Sequence, residues 1–439
     1  MSNASDIMSV VCRTECWISS HARETEHGLV WGLADEAPDK FFHTLYAGSA
    51  GISLFYLELY QATGEERYRD IARKSGLELI HATGQLGELP CAPMGGWAGY
   101  AFVFSELGST LAMDEFHQAA RDCIEKQFAS SQPVGAGIGW VQEMPYARLT
   151  GHKGIREIFD IAEGAAGAGI FFLYAAKQGM HPDALNWAIS AGDRLLEVAE
   201  QAQGGLRWQL MPDIPWPFDA PNFEHGTAGV GYFFALLYEA TGERRYLDAA
   251  LKGAGHVAAV AKLIEGGGCL VPHILNDGLP DRYYLGLCHG PVGTNRLFNV
   301  LNRITGDQKW LDWVAKLEQG LLSVGAPEER SEGYWNNVSQ CCCDAGVGDY
   351  ALSQFNSTRE QSYLELAKRV VQEVLKRSED DGTHCKWPQA EHRSSPDYIQ
   401  SQTGYMQGAA GVGSFLLHYA TTLDKAPIKI QFPDSPYRV

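Results

Sequence analysis

A short run of small residues, Gly-x-Ala-Gly-x-Gly or a near variant, occurs seven times in this chain, and each copy opens an apolar stretch of helical period. The clear copies are Gly48-Ser49-Ala50-Gly51, Gly164-Ala165-Ala166-Gly167-Ala168-Gly169, Gly226-Thr227-Ala228-Gly229-Val230-Gly231 and Gly408-Ala409-Ala410-Gly411-Val412-Gly413. Gly96-Trp97-Ala98-Gly99, Gly290-Pro291-Val292-Gly293 and Ala345-Gly346-Val347-Gly348 are weaker. Measured at the second glycine, the copies stand about 48 to 68 residues apart. That is too far for one helix and right for two antiparallel helices with their loops. Each copy therefore predicts a helical hairpin. Small residues at the start of its first helix let several helix ends converge, with their backbone N–H groups and positive dipole ends aimed at a common centre.

The break inside each hairpin is also written in the chain. Ala62-Thr63-Gly64-Glu65-Glu66-Arg67-Tyr68 returns almost unchanged as Ala240-Thr241-Gly242-Glu243-Arg244-Arg245-Tyr246, and Thr305-Gly306-Asp307 repeats its centre. Such a sequence ends one helix and caps the next. First helices are apolar nearly all round, whereas second helices such as 246–261 carry one polar face. The pattern predicts an all-α fold in which an inner ring of helices sits within an outer ring. Extended stretches bearing Trp140, Trp208 with Trp216, Trp335 and Trp387 precede several motifs. They are expected to form loops or hairpins at one end of the ring, where ligand contacts concentrate. No linker rich in Pro, Gly and Ser divides the chain, so residues 41–425 read as one domain, with an N-terminal segment 1–40 and a C-terminal tail 426–439. Residues 1–4 resemble a cloning remnant.

Composition narrows the function. The 439 residues carry a formal charge of −18, which disfavours nucleic acid and anionic membrane as partners, because either selects a basic face. No stretch approaches the roughly 18 apolar residues of a membrane span and no signal peptide is evident, so a cytoplasmic location is expected. Ten cysteines in so long a chain are not the disulfide framework of a small secreted domain. No glycine-rich phosphate loop follows a strand. Cys12 and Cys16 lack a second pair and make a weak metal motif, while Cys91, Cys123, Cys269 and Cys385 read as structural.

Aligning the repeats by their glycines places His225, His289 and Cys342 in one column and Glu224, Cys288 and Cys341 in the column before it. Cys341-Cys342-Cys343 is a run of three cysteines that inert packing does not readily explain. Cys288, Cys341 and Cys342 can supply three sulfurs at about 2.3 Å to zinc and leave a fourth position open, as catalytic zinc requires. Cys343 falls in a glycine column, so its side chain is expected to point away from the metal. His289 can line the pocket, support a ligand or, least favoured, bind the metal itself. His225 opens the fourth inner helix, whose positive end should lower the imidazole pKa and suit it to proton exchange; a purely structural histidine is the alternative. Asp160 can cap the third inner helix, orient His225, or both.

With its seven inner-helix motifs, Asp160-Ile161-Ala162-Glu163-Gly164, Glu224-His225-Gly226, Cys288-His289-Gly290 and the cysteine run, the chain resembles the lanthionine synthetase C-like family over roughly residues 40–425. The resemblance implies an α,α-toroid of seven inner and seven outer helices. It implies zinc held by Cys288, Cys341 and Cys342, with Asp160 and His225 as catalytic residues. An active-site arginine of the family is matched loosely by Arg282, which is offset, and Cys343 departs from the family's glycine. The implied reaction adds a cysteine thiolate to dehydroalanine or dehydrobutyrine in a peptide, with His225 giving the enolate its proton, and so forms a thioether ring. The chain contains no dehydratase or kinase region, so the implied partner is an already dehydrated, cysteine-containing peptide made by a separate dehydratase. Competing readings are addition of glutathione to dehydroamino acids in proteins, an α,α-barrel carbohydrate enzyme, which needs paired carboxylates beyond Asp160, Glu163 and Glu224, and a closed zinc scaffold without catalysis.

Overall fold

A computed structural model describes residues 3–87, 89–143, 154–210, 219–275, 280–329, 334–335, 337–426 and 429–437. The described chain is mostly helical. Helix α1 spans Ala4–Ser20 and is capped by Asn3, whose side chain accepts from the Asp6 N–H. Six helix pairs follow in chain order: α2 (Ser49–Thr63) with α3 (Glu66–Gln85), α4 (Trp97–Leu111) with α5 (Asp114–Ala129), and α6 (Ala165–Lys177) with α7 (Ala184–Glu197). Then come α8 (Thr227–Thr241) with α9 (Arg244–Val260), α10 (Pro291–Thr305) with α11 (Lys309–Ser323), and α12 (Asp344–Thr358) with α13 (Gln361–Lys376). Helix α14 (Ala409–Leu423) closes the series. Seven of these helices start at the seven small-residue motifs, as the spacing predicts.

The repeated break has a common construction. At Thr63-Gly64-Glu65 the glycine takes the left-handed conformation (φ 71°), while the threonine hydroxyl donates to the Leu59 carbonyl and accepts from the Glu65 N–H. Thr241-Gly242-Glu243 and Thr305-Gly306-Asp307 repeat it. In the sixth pair Arg359, at φ 63°, stands where the others have glycine.

The residues form two compact units. The first comprises Met1–Gly87, Gly99–Ala120 and Trp335–Val439. Within it α2 packs on α3, α12 on α13, and α14 on α1, while α2 and α12 both lie against α14. The N-terminal helix, which the sequence reading set apart, thus serves as the outer partner of the last inner helix. A three-stranded antiparallel sheet, β1 (Ala22–Glu24), β2 (Leu29–Ala34) and β3 (Ala37–Phe41), follows α1. The core here includes Trp31 stacked on Tyr56, which in turn meets Tyr68.

The second unit comprises Glu88–Ala98 and Arg121–Tyr334. Helix α6 packs on α7, α8 on α9 and α10 on α11, with α6, α8 and α10 side by side. Trp208, Phe234 and Tyr246 build its aromatic core. The extended stretches are short antiparallel hairpins. In this unit Trp140 and Trp208 donate their indole N–H to the carbonyls of Gln127 and Leu195 at the ends of the preceding outer helices. Trp387 does the same to Val374 in the first unit. All three indoles are buried and spend their one donor on helix ends, so they pin hairpins rather than offer ligand contacts. Trp216 and the side chain of Trp335 lie outside the described residues.

Candidate functional site

The loop before each inner helix follows one plan. The first helical N–H donates to a carbonyl seven residues back, as in Ser49 to Phe42, Ala165 to Ile158, Thr227 to Ala220, Asp344 to Asn337 and Ala409 to Gln402. This tight return explains the glycine at the N-cap: a Cβ at Gly226 would sit 1.7 Å from the Ala220 carbonyl oxygen. In the fifth copy Pro291 occupies the first helical position, where a proline's missing N–H and fixed φ suit a helix start. In the sixth copy Cys343 is the N-cap. Its φ of −161° matches the −162° of Gly226, but its ψ is −99° against −158°. That rotation re-aims the backbone at the one repeat whose N-cap carries a side chain.

Two residues ahead of each N-cap, the loops are joined to one another by backbone hydrogen bonds. Ala162 N–H donates to Glu224 at 3.2 Å and Glu224 N–H to Cys288 at 2.9 Å; separately, Cys341 N–H donates to Met406 at 3.0 Å and Met406 N–H to Tyr46 at 2.9 Å. Corresponding positions of successive repeats are thereby held at one level. The residue just ahead of the N-cap is then Glu163, His225, His289, Cys342 or Gln407 in the third to seventh copies.

The sulfurs of Cys288, Cys341 and Cys342 lie within 4.8 Å of one another, and together form a group able to hold a metal ion. Cys288 and Cys342 are buried and Cys341 is partly exposed. Cys342 N–H donates to Ser339 Oγ at 3.1 Å, and Gln407 Nε2 donates to the Cys342 sulfur at 3.3 Å and to the Tyr46 hydroxyl at 2.8 Å. Cys343 is fully buried and lies outside the sulfur group; burial and the neighbouring Asp344 push its thiol pKa well up. None of the ten cysteines is in a disulfide.

His225 Nδ1 lies 2.7 Å from Asp160 Oδ2. Asp160 is buried, and its other oxygen accepts the Glu163 N–H at 2.9 Å. It therefore braces the turn ahead of α6 and holds the imidazole together, while the N-cap itself is Gly164. The helix-end argument predicts a lowered pKa for His225. Burial does pull the imidazole down, but the hydrogen bond and charge of Asp160, with Glu224 and Glu163, outweigh it and hold His225 above its ordinary value. Glu163 is half-buried, and its carboxyl is pushed up to about 8 by burial and by Asp160, with His225 opposing.

His289 packs its ring against His225 at 5.1 Å, His273 at 4.3 Å and Tyr284 at 5.0 Å. It lines the site beside His225 and lies outside the sulfur group. Arg282 reaches this cluster through its backbone, its carbonyl accepting from the His273 N–H at 2.7 Å. Reading only three members of the pre-cap column left out Gln407 and gave Glu163 no role. Extending the same alignment to the third and seventh copies would have picked out both.

Residues 42–211 match the family model described as lanthionine synthetase C-like protein. Over that span the chain is similar to the lanthionine synthetase C-like family. The matched span includes Asp160 and Glu163 and ends before His225 and the three grouped cysteines. Among solved structures, nisin cyclase superposes with a TM-score of 0.58 at 14% identity, covering 95% of this chain and 93% of its own. A cellobiose 2-epimerase from Bacillus thermoamylovorans gives 0.53 at 10% identity over 95% and 99% of the two chains. An α-mannanase from Bacteroides thetaiotaomicron gives 0.51 at 15% identity over 96% of each. At such identities the likeness is one of fold, and the fold is an α,α-toroid. No curated protein sequence matches the chain. Among the described residues no helix is long and apolar enough to cross a membrane.

Proposed function

We propose that this protein is a zinc-dependent, lanthionine cyclase-like enzyme that adds a cysteine thiol of a dehydrated peptide to dehydroalanine or dehydrobutyrine, forming a thioether ring. The observation that carries the reading is the group of three sulfurs, one of whose members, Cys288, is joined to the loop of the Asp160–His225 pair by the Glu224 N–H.

The donor set fits zinc. Three thiolates are soft, charged ligands, and tetrahedral zinc with bonds of about 2.3 Å asks for sulfur separations of about 3.8 Å. Separations of up to 4.8 Å close to that value with small side-chain rotations. Held there, zinc would supply the positive charge that keeps a substrate thiol ionised at neutral pH.

The remaining chemistry falls to the chain. Addition of the thiolate to the β-carbon moves the alkene electron pair onto the α-carbon and its carbonyl, and that enolate must receive one proton. His225 holds one, because Asp160 fixes its Nδ1 and favours the cation. Asp160 keeps the ring oriented through the proton's departure, with its second oxygen anchored by the Glu163 N–H. His289 and Tyr284 wall the same space. The neighbouring carboxylates of a sugar-cleaving site would have to ionise or share protons freely, whereas here Asp160 is committed to His225.

The test is to incubate the zinc-loaded protein with a dehydrated, cysteine-containing peptide and then treat the peptide with N-ethylmaleimide, which tags only unreacted thiols. Mass spectrometry should show loss of tagging at unchanged peptide mass. Full tagging of every peptide tried, with zinc bound, would contradict the proposal. Adduct masses formed only when glutathione is supplied would move the reading to glutathione addition.

A further inference from the structure

The segment that carries His225 starts at Asp219, and that residue is fastened three ways. Its carbonyl accepts the Leu275 N–H at 2.8 Å. Its carboxylate is buried; Oδ2 accepts from Arg207 Nη1 at 3.1 Å and Oδ1 lies 3.2 Å from His256 Nε2. His256 sits on α9 and is itself buried. Its other ring nitrogen, Nδ1, lies 2.9 Å from the Gln203 carbonyl, in the turn of the hairpin made by Glu200–Ala202 and Gly205–Arg207. That turn is pressed onto α9, since a Cβ at Gly204 would sit 2.5 Å from the Gly255 carbonyl oxygen.

Both partners of this imidazole are acceptors. A carbonyl has no proton to give, and a carboxylate paired with a guanidinium stays ionised, so the two bonds are made together only when both ring nitrogens carry hydrogen. His256 is thus held as a buried cation. Arg207 continues the network to Glu200 at 3.0 Å, which sets two cations and two carboxylates in alternation. Three residues on from Asp219, the buried Asn222 donates to the Pro272 and His273 carbonyls at 2.8 and 3.0 Å. A shift at Asp219 is therefore passed both to His225 and to His273, whose ring meets His289.

We infer that His256 is a positioning residue for His225: its imidazolium fastens Asp219, and through it the segment that carries His225, and the hold slackens when the imidazole loses its proton. The consequence for turnover rests on the cyclase reading above; the fastening itself does not. The charged groups acting on His256 are Asp219 and Arg207, with Glu200 beyond Arg207. Burial and Arg207 favour the neutral ring, but the hydrogen bond and charge of Asp219, with the Gln203 carbonyl, outweigh them and hold its pKa above the ordinary value. A histidine raised on folding keeps its full hold below about pH 6.5 and gives it up as pH rises through the folded value. The neutral ring has one donor, so either Asp219 or the Gln203 carbonyl then loses its bond.

The experiment compares zinc-loaded wild type with His256→Gln, whose amide can still donate to Asp219 but carries no charge and does not titrate. Amide hydrogen exchange at Glu224, Thr227 and Leu275 is measured across pH 6–9 and corrected for intrinsic rates. The His256 ring is followed by NMR, and thioether formation is assayed on the same samples. The expected result is a His256 that is cationic at pH 6, with exchange in His256→Gln at least about tenfold faster than in wild type at that pH and thioether formation slowed in parallel. Both gaps should close toward pH 9, as wild type loses its own imidazolium. A gap of one size at every pH, the mark of a merely structural histidine, overturns the inference, as does a His256 that is neutral at pH 6 or a variant that exchanges like wild type. Should His256→Gln fail to fold, wild type alone decides: exchange at the three amides must quicken at the NMR midpoint of His256, and a midpoint that does not coincide overturns the inference. An exchange gap that closes with pH in a protein that makes no thioether at any pH overturns the cyclase reading and leaves the anchor standing.

Discussion

The Glu224 N–H donates to the Cys288 carbonyl at 2.9 Å, which joins the residue before His225 to the first of the three grouped cysteines through a single backbone hydrogen bond. The loop layer sets their relative position, because Ala162, Glu224 and Cys288 stand at equivalent positions of three successive repeats and are joined by backbone hydrogen bonds. On the cyclase reading, this bond holds the proposed proton donor and a proposed zinc ligand in fixed register, as an addition followed by protonation at the next carbon requires.

Removing the charge on Asp160 tests the electrostatics of the pair. In Asp160→Asn the burial that pulls His225 down remains while its main upward influence is lost, so the imidazole pKa should fall. Its titration by NMR reports this directly. Turnover at neutral pH should drop by at least about tenfold, since less of the acid form remains. An unmoved imidazole titration would show that Asp160 is not what holds His225 above its ordinary value.

Gln407→Leu tests the support behind the cysteines. The amide donates to the Cys342 sulfur and to the Tyr46 hydroxyl. Losing that donor should weaken zinc binding about 10–100-fold, read by competition with a chromophoric chelator, with little change in melting temperature. Unchanged zinc affinity would remove Gln407 from the site.

The N-cap geometry makes a paired prediction for stability. Gly226→Ala drives a Cβ into the Ala220 carbonyl and should cost about 1–3 kcal/mol. Cys343→Ala keeps a Cβ where the backbone already accepts one and should cost about 1 kcal/mol for the lost sulfur contacts. Thermal unfolding of the two variants side by side decides the order.

How much of this could be read from the chain divides along the repeat. The seven motifs and the Thr-Gly-Glu breaks fix helix starts and ends because each depends on local backbone sterics, and the structure places them as read. The pairing of α1 with α14 was not legible, since α1 carries no motif and its partner lies nearly 400 residues away in sequence. Cys343 could be separated from Cys341 and Cys342 by alignment alone. The raised pKa of His225 could not be foreseen, because it depends on Asp160 reaching across 65 residues to outweigh both burial and the helix end. The tryptophans misled because hairpin position suggests ligand contact, whereas their indole donors are consumed by helix carbonyls.

The helix core supplies a pH prediction independent of the site. His418 lies between Glu58 Oε1 at 3.0 Å and Asp349 Oδ1 at 2.9 Å. Burial pulls its imidazole down, yet the two carboxylates hold it well above the ordinary range. A histidine raised on folding contributes stability that is complete below its unfolded value of about 6.5 and is lost as pH rises through the folded one. The deficit of His418→Gln relative to wild type should therefore be largest at pH 6 and shrink toward alkaline pH, as read from denaturant midpoints. A deficit that grows with pH would contradict the assignment.

The central claim is that Cys288, Cys341 and Cys342 hold zinc while Cys343 does not. Metal content per chain, measured by plasma mass spectrometry on wild type and the four single Cys→Ala variants, tests it most directly. The account predicts one zinc in wild type and in Cys343→Ala, and loss of most or all of it in the other three. A wild type that binds no zinc, or a Cys343→Ala protein that loses zinc while Cys342→Ala keeps it, would contradict the account.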